Sequence, residues 1–128
     1  MDDVGRSRGA GTGRVALGLT LGLGLVIGWA TLSPNPLPDV PLKGSDKLHH
    51  ALAFAILTLP VALMRPRLLL LLGPVLAAYG GLIEIVQPFF GRSRELADWY
   101  ADLMGIALGA GLGLALRLAW RALRARRG

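Results

Sequence analysis

The residues able to do chemistry fall in three short stretches. Asp46, Lys47, His49 and His50 form the first; Glu84 and Gln87 the second; Asp98 and Asp102 the third, with Arg92 just before it. On a helix, Asp46 shares a face with His49 and His50 through i,i+3 and i,i+4 spacing. Gly80, Glu84 and Gln87 share another, and Asp98 and Asp102 a third that continues into Gly105 and Gly109. His49 oriented by Asp46 reads as a general base, Glu84 as a further acid–base candidate, and Arg92 as a clamp for a phosphate or carboxylate. His49, Glu84, Asp98 and Asp102 also carry nitrogen and oxygen ligands suited to a metal. Yet no HExxH or comparable tight pair is present, so no metal is expected. A Gly-rich phosphate loop and a GxSxG elbow are absent too, and no cofactor is expected.

These polar groups interrupt an otherwise apolar chain. Of 128 residues 53% are hydrophobic and 17% charged, with mean hydropathy +0.54. A soluble domain this small could not enclose so much Leu, Ala, Val and Ile. Four apolar runs, Val15–Leu32, Leu48–Met64, Leu68–Gln87 and Trp99–Trp120, approach the roughly 20 helical residues that cross about 30 Å of hydrocarbon. None alternates with period two, which excludes a membrane β-barrel. The first run is too long for a signal-peptide core and lacks a small-x-small cleavage site, so it reads as a retained span. The expected fold is therefore all-α, a bundle of four transmembrane helices over residues 14–120. A disordered tail at 1–13 and a basic tail at 121–128 flank it.

Ser33-Pro34-Asn35-Pro36-Leu37-Pro38-Asp39-Val40-Pro41 cannot be helical and reads as a stiff loop. Arg65-Pro66-Arg67 reads as a tight turn. Pro60 and Pro74 fall inside helices and should bend them. Gly18/Gly22, Gly24/Gly28 and Gly105/Gly109/Gly113 are spaced for close helix approach, favouring packing of the first and fourth helices inside one compact bundle over a homodimer face. Oligomeric state does not follow from this.

The chain carries Lys+Arg 14 against Asp+Glu 8. The basic residues flank apolar runs without interleaved aromatics, which speaks for membrane lipid and against nucleic acid as partner. Ten cations (Arg6, Arg8, Arg14, Arg65, Arg67, Arg117, Arg121, Arg124, Arg126, Arg127) lie on one side of the expected topology. Four (Lys43, Lys47, Arg92, Arg94) lie on the other. The excess places both termini in the cytoplasm and the three polar stretches at the outer end. Arg117, Arg121 and Arg124 read as anchors to anionic lipid. Ionisable groups at membrane depth face the bundle interior or a wet cavity. Asp46 with His49, Glu84 with Gln87, and Asp98 with Asp102 should thus converge, with Arg92 at the border. A hydrogen-bonded structural network, for instance Asp46 with His49 and Arg92 with Glu84 or Asp98, is one reading. A pocket for a polar headgroup or small ligand is another, and a catalytic centre the third.

In order along the chain, Asp46-Lys47-Leu48-His49, Ile83-Glu84-Ile85-Val86-Gln87, Gly91-Arg92 and Asp98-Trp99-Tyr100-Ala101-Asp102-Leu103-Met104-Gly105 resemble the VanZ-like family of small bacterial membrane proteins. Its motifs read DKxxH, IExxQ, GR and DxxxN/DxxG. The similarity spans about residues 46–113; at Asp102 many relatives carry Asn. The family takes its name from a member associated with resistance to glycopeptide antibiotics, teicoplanin in particular. The resemblance implies an integral protein of the bacterial cytoplasmic membrane acting at the cell envelope; the outward-facing polar pocket then reads as a site for a cell-wall precursor or lipid-linked headgroup. It carries any activity over to Asp46, His49, Glu84, Gln87, Arg92, Asp98 and Asp102. The enzyme alternative is a hydrolase or transferase on such a substrate; a structural membrane subunit is the third.

Overall fold

The computed structural model describes residues 3–34 and 45–128, with side chains from 10 and from 46 onward. The prolines from Pro36 to Pro41 and the cation Lys43 lie outside the described residues. Four helices carry the fold: α1 (Asp3–Leu32), α2 (Ser45–Met64), α3 (Leu69–Val86) and α4 (Leu96–Ala125). Four spans of the described residues are long and apolar enough to cross a membrane: Ala10–Leu32 within α1, Asp46–Met64 within α2, Pro66–Phe90 comprising α3 and the 3-10 turns that flank it, and Leu96–Ala125, which is α4. No strand occurs among the described residues. The four-helix all-α architecture read from the apolar runs is therefore the one observed.

The first and last helices extend beyond the apolar runs that define them. Helix α1 begins at Asp3, so the Gly- and Arg-rich stretch read as a disordered tail has helical backbone; α4 likewise continues through Arg121 and Arg124 to Ala125. A helix already nucleated by a long apolar run extends at little cost per residue, even through poor formers. Pro60 and Pro74 sit inside α2 and α3. The Arg65-Pro66-Arg67 link is a single 3-10 turn, Pro66–Leu68, closed by Leu68 N–H donating to the Arg65 carbonyl at 2.9 Å.

The central packing is α2 against α4. Gly105, Gly109 and Gly113 form one stripe of α4. A Cβ on Gly105 or Gly109 would collide with the backbone of Ala51 or Ala55, and one on Gly113 with the Ala62 side chain. With no lipid-versus-protein hydrophobic gain available, this backbone approach is what holds the two helices together. The α4 stripe thus seats that helix inside the bundle, with α2 as its partner. Helix α1 packs on α2 and α3. Thr20 donates to the Leu57 carbonyl at 3.4 Å, and Tyr79 to the Gly24 carbonyl at 2.5 Å. Gly18 and Gly22 face open space. Phe54, Leu57, Leu76 and Ile83 form the buried apolar cluster. Leu25, Leu70, Leu71 and Trp29 are largely exposed, as a lipid-facing surface requires.

At the α2–α3 end, Arg117 of α4 donates to the Leu63 carbonyl at 2.5 Å and the Met64 carbonyl at 3.3 Å. These are among the last carbonyls of α2, which have no intrahelical donor, and a cation is favoured there. The opposite end holds the polar residues.

Candidate functional site

Helix α2 starts, α3 finishes and α4 starts at one end of the bundle. Past α3 the chain makes a 3-10 turn, Gln87–Phe90, ended by Gly91 at φ 73°, the one positive φ among the described residues. That left-handed step suits glycine, and it turns the chain so that Arg92 N–H returns to the Gln87 carbonyl at 3.1 Å. Arg92 is thereby set at the rim, and α4 re-enters beside α3.

Four ionisable side chains lie inside: His50 at 3% exposure, Glu84 at 3%, Asp98 at 2% and Asp102 at 0%. His50 Nδ1 lies 2.8 Å from Asp102 Oδ1. Glu84 Oε2 accepts the Glu95 backbone N–H at 3.0 Å, so an acid of α3 caps the first turn of α4. Ligand-bearing atoms of His50, Glu84 and Asp102 all lie within 4.8 Å of one another, as do those of Asp46, His50 and Asp98. Gln87, buried, sits between α1 and Glu84. Its amide nitrogen reaches the Thr31 carbonyl at 3.3 Å, or in the opposite amide orientation both Glu84 oxygens at 3.3 Å.

A more exposed ring of charge surrounds this centre. Lys47 pairs with Glu95 at 2.9 Å and lies 3.5 Å from Asp98 Oδ1. Arg92 reaches Asp46 at 3.6 Å and donates to the Ser33 carbonyl at 3.4 Å. Trp99 donates its indole N–H to the Ala77 carbonyl at 2.9 Å, fixing the first turn of α4 on α3.

Glu84, Gln87, Asp98 and Asp102 thus meet as their spacing requires, and Arg92 borders them with Asp46. His49 does not join: it is exposed, and His50 takes the interior position. The reason is rotational. One residue turns a helix by about 100°, and the turn that seats Ala51 and Ala55 on the α4 glycines carries His50 inward too. Counting the pattern Asp-Lys-x-x-His from Asp46 ends on His50, which is the signal that would have selected it. The expected pairings also change: Arg92 goes to Asp46, while Glu84 is served by a backbone N–H and faces Gln87. Lys47 and Glu95 are further members of the site that spacing alone does not connect, being 48 residues apart.

Two buried carboxylate oxygens, Asp98 Oδ1 and Asp102 Oδ2, make no hydrogen bond. Asp102 Oδ2 lies against Gly80, where an added Cβ would come within 2.6 Å of it. Asp98 Oδ1 has the Lys47 ammonium 3.5 Å away, so it is Asp102 Oδ2 that calls for a donor or a cation, since most buried polar atoms in folded proteins are satisfied.

No family model, no curated protein and no solved structure matches the chain. Fold and site together define a helical, multi-pass membrane protein with a buried imidazole–carboxylate centre at one end of its bundle.

Proposed function

We propose that the protein acts in a bacterial cell envelope, as its resemblance to VanZ-like proteins implies, and that this centre binds the polar headgroup of a lipid-linked or cell-wall precursor. Both termini then lie in the cytoplasm and the centre faces outward. The observation that carries the reading is the convergence of His50, Glu84, Asp98 and Asp102 from three helices at the end rimmed by Lys47 and Arg92. Groups so costly at membrane depth are kept where they have work to do. The two rim cations, one compact and one a planar fork, would take the anionic part of a headgroup, and the carboxylates its hydroxyls or amines.

The test is native mass spectrometry of the protein released from lipid nanodiscs made from its own membrane. Wild type should carry a headgroup-bearing species that Asp102→Asn and Arg92→Ala reduce by about tenfold, a loss of 1.4 kcal/mol at RT ≈ 0.59 kcal/mol. His49→Gln should leave it unchanged. Identical lipid complements in wild type and both site variants would remove the reading.

A second reading has its own observation. Asp102 engages Nδ1 of His50 at 2.8 Å, which leaves Nε2 to exchange a proton, the arrangement of an oriented general base. On that reading the protein is a membrane-embedded hydrolase or transferase on the same class of lipid-linked substrate. Turnover of such a substrate by wild type and not by His50→Gln would favour it.

A further inference from the structure

We infer that His50, Glu84 and Asp102, with Asp98 beside them, form a binding site for one divalent transition-metal ion, of the kind represented by Zn2+ or Mn2+. The spacing of these residues does not announce such a site, because each helix contributes only one or two ligands. The fold assembles it: one imidazole from α2, one carboxylate from α3 and one from α4, with ligand atoms mutually within 4.8 Å and all three side chains buried. A bond length of about 2.0–2.2 Å to nitrogen or oxygen draws such atoms in by a modest side-chain adjustment.

An independent observation points to the ion. Asp102 is fully buried, yet its Oδ2 has no hydrogen-bond partner; Asp98 Oδ1 makes no hydrogen bond and is paired only with the Lys47 ammonium at 3.5 Å, which Glu95 engages more closely at 2.9 Å. A buried carboxylate oxygen without a donor is costly, and a metal ion satisfies it directly. Charge points the same way. Glu84, Asp98 and Asp102 bring three carboxylates to the interior, opposed by His50 and by one ammonium that Glu95 shares. A dication supplies the positive charge that the side chains do not.

The donor set selects the class of ion. An imidazole among carboxylates suits first-row transition ions better than Mg2+ or Ca2+, which take oxygen alone, and the chain has no thiolate for softer ions. The surroundings resemble an outer shell that holds ligands in place. The Glu95 N–H fixes Glu84, the Gln87 amide lies beside it, and Gly80 leaves room for the Asp102 carboxylate. The inference does not rest on the headgroup reading, since every ligand belongs to the chain.

The experiment uses the full chain purified in detergent without a metal-affinity tag, stripped with chelator and titrated with ZnCl2 or MnCl2. Elemental analysis after gel filtration should find one ion per chain. Electron spin-echo spectroscopy of the Mn2+ form should show coupling to an imidazole nitrogen. Glu84→Gln and Asp102→Asn should weaken binding at least about tenfold, His50→Gln should abolish the nitrogen coupling, and His49→Gln should change neither. Failure of wild type to retain metal, or Mn2+ bound without nitrogen coupling, overturns the proposal. So does equal loss in His49→Gln and His50→Gln. The wild-type spectrum decides the matter even where a variant fails to fold. Because no lipid ligand is needed, failure here leaves the headgroup reading to its own test.

Discussion

His50 and His49 are adjacent, chemically identical and opposite in circumstance: one is 3% exposed against Asp102, the other lies on the outer surface. Removing the inner imidazole strands a buried carboxylate. His50→Leu should therefore lower unfolding stability by about 1–3 kcal/mol, while His49→Leu should stay within about 0.5 kcal/mol. Denaturation in a mixed detergent series measures both, and equal effects would contradict the burial assigned to His50. At this scale the acids were legible from the sequence and the histidine was not. Glu84, Asp98 and Asp102 interrupt apolar runs, and the cost of a charge against acyl chains leaves them one direction to face. His49 and His50 both fall on the Asp46 side of α2. Locally only the Asp-Lys-x-x-His count from Asp46 singles out His50; what separates them physically is the position of Asp102, 52 residues away in the chain. The Lys47–Glu95 pair was out of reach for the same reason.

Helix α4 is joined to α2 by backbone proximity along Gly105, Gly109 and Gly113, and its periodicity could be read without a structure. Its partner could not, because a small-residue stripe states how closely something approaches and is silent about what does. A bulky side chain placed on the stripe must push α2 away and pull His50 from Asp102. Gly109→Leu should cost more than about 1–3 kcal/mol, the usual penalty for overpacking, since the obstacle is the Ala55 backbone. Gly111→Leu, two residues along with open space around it, should be tolerated. Thermal aggregation of the two variants side by side checks this; similar midpoints would mean that α4 is not seated as described. The far end of the same pair depends on Arg117, whose guanidinium serves the Leu63 and Met64 carbonyls. Arg117→Gln should lower stability by roughly 1–2 kcal/mol and increase amide exchange in the last turn of α2. Arg121→Gln, in an exposed position, should do neither.

Across the whole molecule, charge and chemistry are polarised along the bundle axis. The imidazole–carboxylate centre and the loop from Gly91 to Glu95 occupy one end. The Arg65–Arg67 turn and the basic end of α4, Arg121 to Arg127, occupy the other. Cations are retained on the cytoplasmic side of a membrane, and over the expected topology they divide ten to four. The asymmetry predicts that the centre opens away from the cytoplasm, where a headgroup on the outer leaflet or a free metal ion would reach it. The chain has no cysteine, so introduced thiols report without background. Ser93→Cys, in the exposed loop beside Arg92, should react with a membrane-impermeant maleimide in intact cells. Gly128→Cys should react only after permeabilisation. The reverse pattern would turn the centre toward the cytoplasm. An external ligand would then be excluded, while the proposed ion could still be drawn from the cytosolic pool, because its ligands come from the chain whichever way the bundle faces.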